Sequence, residues 1–366
     1  MATVDDLSLS NVLKTLLTNE PELLSIAADS FPIRLWQRLA EEKLLIPSLS
    51  VALGGQGSRH PAIIHAVKVL TYASASPGLG MTWVMQQALI ELIIKSDNEL
   101  VNSQYLTKLL SGEALCALSV SEPGAGAHPK RLTTTAEYRD GAYVINGEKT
   151  YVTNGPFAGL FIVLAITEMV NGRKAFTAFM VPRETKGLTV KPMKGFDALK
   201  PSQHCGLVLD NCRLPASHII GEKGHAFDSI SKPFREHEDV LMLSALAGAM
   251  QSITDEIITL NEDILTEELG QLLAIIDSVM ALAVQAAMAL DEGGGPLNTV
   301  SYIIVGRGLV EKFNHKINKL LVDQPLTGTI KRLIGDIDVL VNIAKMANVS
   351  KQKALAMRYL ANRAAL

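Results

Sequence analysis

The chain has 366 residues, 34 basic and 37 acidic side chains and a formal net charge of -3, with no basic stripe of the kind that marks a nucleic-acid partner. It is too long for one small core, so two or three packed units are expected. The three cysteines, Cys116, Cys205 and Cys212, are too few and scattered for a disulfide framework. Met1 to Asn11 carries two aspartates and no lysine or arginine, unlike a secretory signal or an arginine-rich transit peptide, and a cytoplasmic location is the expectation.

From Asp5 to about Leu110 the pattern is helical. Ile33 to Ala40, Ile63 to Ala73 and Met81 to Ile94 place apolar residues at helical spacing, punctuated by Pro32, Pro47, Gly54-Gly55 and Pro77-Gly78. From Ala114 to about Gly221 the signal is β. Asp140-Gly141, Asn146-Gly147 and Asn171-Gly172 read as hairpin turns between strands at Thr133 to Tyr138, Ala142 to Ile145, Phe161 to Thr167, Ala175 to Val181 and Leu207 to Leu209. From Ala226 onward helical periodicity returns, broken at Gly293 to Pro296 and at Gln324-Pro325. Leu272 to Leu290 has one charge, Asp277, and the length to cross a bilayer. The central aspartate, Gln285 and the many alanines favour a helix in a bundle, and no membrane span is expected.

Several common chemistries are absent. Gly124-Ala125-Gly126 meets Pro129 where a dinucleotide fingerprint needs its third glycine, and Gly306-Arg307-Gly308 fails at Glu311. No Walker loop and no Gly-x-Ser-x-Gly elbow occurs. His204, Cys205, Cys212 and His218 have zinc-binding atoms at spacings unlike a knuckle or finger, and no metal is expected there.

Two segments carry the strongest chemical signal, Ser121-Glu122-Pro123-Gly124-Ala125-Gly126 and Asn146-Gly147-Glu148-Lys149-Thr150-Tyr151-Val152-Thr153-Asn154-Gly155. Ser121 and Thr153 supply short hydroxyls beside backbone N–H groups, Tyr151 a flat aromatic plate, and the glycines a turn whose amides can approach an anion. The pair resembles the flavin-contacting segments of the acyl-CoA dehydrogenase family, [TS]-E-P-x-A-G-S-D and N-G-x-K-x-W-I-T-N-G. Phe31-Pro32-Ile33-Arg34-Leu35-Trp36, Leu44 to Pro47, Gly54-Gly55-Gln56-Gly57 and Tyr105 to Glu113 are similar to further family segments. The resemblance runs from about Phe31 to Gln251.

It implies an α+β fold with an N-terminal helical domain (1–113), a middle antiparallel β-barrel or sandwich domain (114–222) and a C-terminal four-helix bundle (223–366). It further implies FAD contacted by Val120, Ser121, Gly126, Ala127, Tyr151, Val152 and Thr153, and α,β-dehydrogenation of an acyl thioester on CoA or an acyl-carrier protein. Electrons then pass to an electron-transferring flavoprotein or similar acceptor, in a homodimer or homotetramer.

The chain departs from the family at the catalytic base. Where most members carry Y-E-G-[TS], it reads Asn342-Ile343-Ala344-Lys345-Met346-Ala347. Isovaleryl and long-chain types instead place the glutamate in an E-R pair ten residues before the last glycine of an A-x-x-G-x-x-Q-like run, and counting back from Gly248 gives Glu238, with Glu236 as the fallback. The arginine of that pair is Asp239 here, which implies a lost cation. Ala127-His128 stands for the family's Ser-Asp, the R-x-x-F-G segment has no equivalent in Asn261 to Leu269, and Q-x-x-G-G-x-G-[FY] is absent, so FAD is expected to be held weakly or not at all; Arg307, Lys331 and Arg332 are candidate substitute cations. The same resemblance leaves open a non-catalytic acyl-thioester-binding or assembly subunit, and a flavin enzyme of different chemistry such as a monooxygenase or a redox-neutral thioester lyase.

Overall fold

The computed structural model describes residues 4–25, 30–193, 195–260, 266–293, 296–321, 326–343 and 345–364. Parts of the stretches named above (Met1 to Asn11, Gly293 to Pro296, Gln324-Pro325, Asn261 to Leu269 and Asn342 to Ala347) therefore lie outside the described residues. Five helices come first: α1 (Val4–Asn19), α2 (Ile33–Glu41), α3 (His60–Ser74), α4 (Pro77–Lys95) and α5 (Leu106–Leu110). Pro77-Gly78 starts α4 rather than merely interrupting the chain, because Ser76 caps the helix by accepting from the Leu79 N–H at 3.1 Å. Every residue from Pro77 to Ile93 is buried, which makes α4 a central helix without a solvent face.

Eight strands follow: β1 (Leu115–Ser119), β2 (Thr135–Arg139), β3 (Ala142–Thr153), β4 (Ala158–Val170), β5 (Arg173–Pro182), β6 (Leu188–Pro192), β7 (His204–Leu214) and β8 (Ile219–Ile220). They form one sheet in the order β6-β7-β3-β2-β4-β5-β8, with β1 also on β4. The pairing is antiparallel except where β1 and β2 meet β4 in parallel. Asp140-Gly141 and Asn171-Gly172 make their hairpins with positive φ at both residues. Asn146-Gly147 does not. It lies inside β3 at a register shift, a bulge in which Gly147 has φ 153° and a Cβ would stand 2.4 Å from Thr134 Oγ1. A glycine inside a strand marks such close backbone approach as readily as a turn.

Five helices complete the chain: α6 (Lys232–Leu260), α7 (Thr266–Asp291), α8 (Pro296–Leu320), α9 (Gly328–Asn342) and α10 (Lys345–Ala364). The apolar α7 has the length and composition of a membrane span. In the bundle, Leu272, Ile275, Ile276, Val279, Met280, Ala283, Ala286 and Ala287 form one buried face while Leu273 and Met288 are exposed, which is a core-facing stripe. Close packing of α6 on α3 requires Gly248, where a Cβ would stand 2.7 Å from the Lys68 carbonyl oxygen. One large core joins both helical regions to one face of the sheet. A second core, containing Cys205 and Cys212, fills the sheet's other face.

Candidate functional site

The two motif segments are joined by a buried ion pair. Lys149 Nζ lies 2.9 Å from Glu122 Oε1 and also donates to the Val120 carbonyl at 3.2 Å. Glu122 in turn accepts from the Thr133 N–H and hydroxyl at 2.6 and 2.8 Å and from the Thr134 N–H at 3.0 Å. Burial alone would push the Glu122 carboxyl up, but Lys149 and the Thr134 bonds hold it at about 2. Burial brings Lys149 down to about 8 against the pull of Glu122. Both groups are thus ionised at neutral pH. The pair, with a bond from the Thr150 N–H to the Ser121 carbonyl at 2.9 Å, fixes the turn at Ser121 beside the end of β3. Sequence reading passed over both residues, although a glutamate and a lysine within the two matching motifs were the available signal.

Asn154 anchors the end of β3. Its Oδ1 accepts from Thr82 of α4 at 2.9 Å and from Ser202 at 3.1 Å, and its N–H donates to the Gln203 carbonyl at 2.8 Å. Tyr151 has φ 53° and is 56% exposed, its ring edge-on to Phe196 at 6.3 Å. Thr153 Oγ1 lies 3.2 Å from His204 Nε2, and burial pulls that imidazole down to about 4, so it is neutral.

A cavity of about 950 Å³ opens between this end of the sheet and the bundle. Val120, Ser121, Gly126, Ala127, Tyr151 and Thr153 form one part of its wall, and Glu236 and Glu238 of α6 another. Val152 is the exception among the expected contacts. Strand alternation turns its side chain into the core on the sheet's other face, leaving only its backbone for a ligand. Of His204, Cys205, Cys212 and His218, Cys205 and Cys212 are buried thiols of that second core and His204 packs on Phe196 at 4.6 Å.

Glu238 is buried and held by Arg235, whose Nη1 donates to Oε2 at 2.9 Å. Burial pushes the Glu238 carboxyl above the usual range, with Arg235 opposing and Asp239 adding to the rise. Glu236 accepts from the Thr299 hydroxyl at 2.8 Å and is likewise raised by burial. Asp239 does not leave the site short of a cation. It gathers three: Arg235 at 2.8 Å, Arg307 at 2.9 Å and Lys351. Burial would raise its carboxyl, but Arg235, Lys351 and Arg307 hold it at about 2. Arg307, named above as a substitute for a phosphate-binding cation, is committed to Asp239 and to the carbonyls of Val341 and Ile343. Arg332 pairs with Asp336 at 4.0 Å, and neither it nor Lys331 lines the cavity. Asn342 and Ile343, from the stretch that lacks the usual glutamate, do line it, and they are neutral.

Comparison with known proteins bears on the family and the fold. Residues 13–113 match the family model for the acyl-CoA dehydrogenase N-terminal domain, and residues 117–212 match that for the middle domain. Mitochondrial isovaleryl-CoA dehydrogenase of Oryza sativa subsp. japonica is 29% identical over 63% of this chain and 56% of its own length. The chain spans little more than half the length of the curated relatives it matches. Among solved structures, butyryl-CoA dehydrogenase from Megasphaera elsdenii superposes with a TM-score of 0.87 at 18% identity, covering 98% of this chain and 99% of that one. The prolyl acyl carrier protein oxidase AnaB superposes with a TM-score of 0.81 at 20% identity, covering 98% and 100%. At these identities the superpositions speak to the fold.

Proposed function

This chain belongs to the acyl-CoA dehydrogenase family, and from that premise we propose that it is an FAD-dependent oxidoreductase that dehydrogenates an acyl thioester between Cα and Cβ, with Glu238 as the base. The observation that carries the reading is the buried carboxylate of Glu238 on the wall of the same cavity as Ser121, Tyr151 and Thr153.

The residues present fit the ring system of FAD. Gly124 and Gly126 have positive φ and open space where a side chain would stand, so a ligand can approach that backbone. The exposed Tyr151 ring offers a face to stack upon, and Ser121 and Thr153 offer hydroxyls to a ring edge. Lys232, Arg235 and Lys351 line the cavity but are paired with Asp228, Glu238 and Asp239. Backbone amides at Gly124 and Gly126, with Lys232 released from its exposed pair, would be the groups available to a pyrophosphate. Bound there, FAD supplies the hydride acceptor for the β-hydrogen.

The chain's own part is proton removal. Arg235 holds Oε2 of Glu238, which leaves Oε1 to take the α-proton of the thioester. Burial strengthens that base by disfavouring its charge, while Arg235 opposes the rise and aims the carboxyl. The apolar walls from Met81, Met85 and Leu89 of α4 exclude water around the acyl chain. The carrier is CoA or an acyl-carrier protein, and the electrons leave to an electron-transferring flavoprotein or similar acceptor.

The test is visible absorption. Protein reconstituted with FAD should show bound-flavin bands that bleach anaerobically on adding an acyl-CoA or acyl-carrier thioester, and Glu238→Gln should bind FAD yet bleach at least ~100-fold more slowly. Bound flavin that no thioester bleaches would overturn dehydrogenation and leave different flavin chemistry. Failure to bind flavin would leave the binding or assembly subunit.

A further inference from the structure

On the side of α6 away from the cavity, three side chains from three helices converge: His60 at the start of α3, Glu91 of α4 and His237 of α6. One ligand atom from each lies within 4.8 Å of the other two. His60 Nε2 is 3.8 Å from Glu91 Oε1, and His237 Nε2 is 3.8 Å from Glu91 Oε2. The remote nitrogens are already engaged. His60 Nδ1 sits 2.5 Å from Asp291 Oδ1, and His237 Nδ1 sits 2.9 Å from the Pro233 carbonyl. A carbonyl can only accept, so His237 carries its proton on Nδ1, and the carboxylate of Asp291 draws the His60 proton to Nδ1 in the same way. With Nδ1 engaged in each ring, both imidazoles turn Nε2 toward the carboxylate of Glu91.

A separation of 3.8 Å is too long for a hydrogen bond, and His60 Nε2 and Glu91 Oε1 are both buried with no hydrogen-bond partner among the described residues. Glu91 itself is only 7% exposed. Of the neighbouring cations, Lys95 stands 4.0 Å from Glu91 Oε2 and is mostly in solvent, and Arg59 is paired with Asp291 Oδ2 at 3.1 Å. Three ligand atoms on a tetrahedral zinc at about 2.0–2.2 Å lie roughly 3.3 Å apart, so rotamer adjustments of about half an ångström to, at most, about 1.5 Å would complete the set. Imidazoles that bind a metal through one nitrogen characteristically donate the other N–H to a carboxylate or a backbone carbonyl, which is what Asp291 and Pro233 accept.

We propose that His60, Glu91 and His237 bind one divalent cation of the zinc class, with Asp291 and the Pro233 carbonyl orienting the two imidazoles. The site is distinct from the flavin cavity. It bolts α3, α4 and α6 together one residue before Glu238, with Asp291 adding the end of α7, so its role is to set the position of α6. The absence of a zinc motif in the sequence is no obstacle, because the ligands come from three separate helices and no local spacing can announce them.

The experiment is metal stoichiometry on the full-length protein. Metal-free protein titrated with Zn²⁺ by calorimetry should take up one equivalent, and its thermal midpoint should rise with zinc concentration. With Co²⁺ in the flavin-free protein, visible d–d bands should appear at the same stoichiometry. Glu91→Gln and His60→Gln should weaken binding at least ~100-fold, and Asp291→Asn by about 10 to 100-fold, while His225→Ala, at an exposed histidine, should bind as wild type. Wild-type protein that takes up less than about a tenth of an equivalent at millimolar Zn²⁺, or Glu91→Gln and His60→Gln variants that retain their full equivalent, would overturn the proposal and leave a histidine–carboxylate network only. If a ligand variant does not fold, the wild-type stoichiometry and the Asp291→Asn affinity decide the matter.

Discussion

Arg235 grips Glu238 and Asp239 at once, its Nη1 on Glu238 Oε2 at 2.9 Å and its Nη2 on Asp239 Oδ1 at 2.8 Å. The planar guanidinium makes this possible, since an ammonium cannot present two parallel donors in a fixed fork. Arg235→Lys is therefore expected to keep the local charge and lose the aim of Glu238. Thioester-dependent flavin bleaching should slow about 10-fold or more, less than in Glu238→Gln, with the FAD dissociation constant unchanged; rapid-mixing spectroscopy at fixed FAD occupancy measures both. Arg235→Met should be far worse for stability, about 3–5 kcal/mol, because it strips a cation from buried carboxylates.

Glu122 and Lys149 give a pH prediction with a definite sign. The folded-state value of Glu122, about 2, lies below its ordinary 4.5, so the stability it contributes is complete above pH 4.5 and is lost as pH falls through 2. Glu122→Gln should cost about 3–5 kcal/mol at pH 7 by leaving Lys149 buried without its partner. In that variant Lys149 is expected to be neutral in the fold and charged when unfolded, so stability should climb with pH toward the ordinary lysine value. Urea midpoints from pH 3 to pH 10 on both proteins check the two slopes. A flat profile for the variant would sink the assignment.

Tyr151 combines a left-handed backbone with an exposed ring, at φ 53° and 56% exposure. Such a backbone costs a non-glycine residue about 1–2 kcal/mol, and the ring gains little from the surrounding protein. Tyr151→Gly should leave the flavin-free protein as stable as wild type or slightly more so. The same change should weaken FAD about 3 to 10-fold, the worth of one aromatic stacking contact. Thermal unfolding without FAD and fluorescence titration with it separate the two effects.

Gly248 tests the packing of α6. Helix propensity alone would make Gly248→Ala stabilising by about 1 kcal/mol. The Cβ would stand 2.7 Å from the Lys68 carbonyl oxygen and 3.0 Å from Thr71 Cβ, and backbone cannot swing aside as a side-chain tip can. Overpacking of this kind costs about 1–3 kcal/mol. The thermal midpoint is expected to fall, and a rise would show that α3 yields.

Much of this architecture was legible because local patterns and global fold agree. Ile33 to Ala40, Ile63 to Ala73 and Met81 to Ile94 each fall within an observed helix, and the two hairpins at Asp140-Gly141 and Asn171-Gly172 follow from residues that tolerate positive φ. Asn146-Gly147 misled because the same dipeptide serves a bulge, and β6 and β8 escaped notice as short strands at the sheet's edges. At the site, counting from Gly248 reached Glu238 on the cavity wall, and the motifs reached Ser121, Tyr151 and Thr153. What could not be read was charge balance. Asp239 looked like a missing arginine, yet its cations come from one turn back on α6, from α8 and from α10, positions that only the packed bundle relates. The stretch 261–269, which has no equivalent of the family's R-x-x-F-G segment, begins in residues outside those described.

The cavity wall draws on both halves of the chain, with Met81 and Ser121 early, Glu238 in the middle and Lys351 near the end of the described helices. A ribosome delivers these parts in that order, and the earlier regions fold as they emerge. A nascent chain with only α1 to β8 released can present Tyr151 and Thr153, but as an open shelf. Enclosure waits for α6, and the full set of cations around Asp239 waits for α10. The shape and the charge balance of the cavity are thus properties of the assembled bundle, with α6 supplying Glu238 and α10 the lysine beside Asp239.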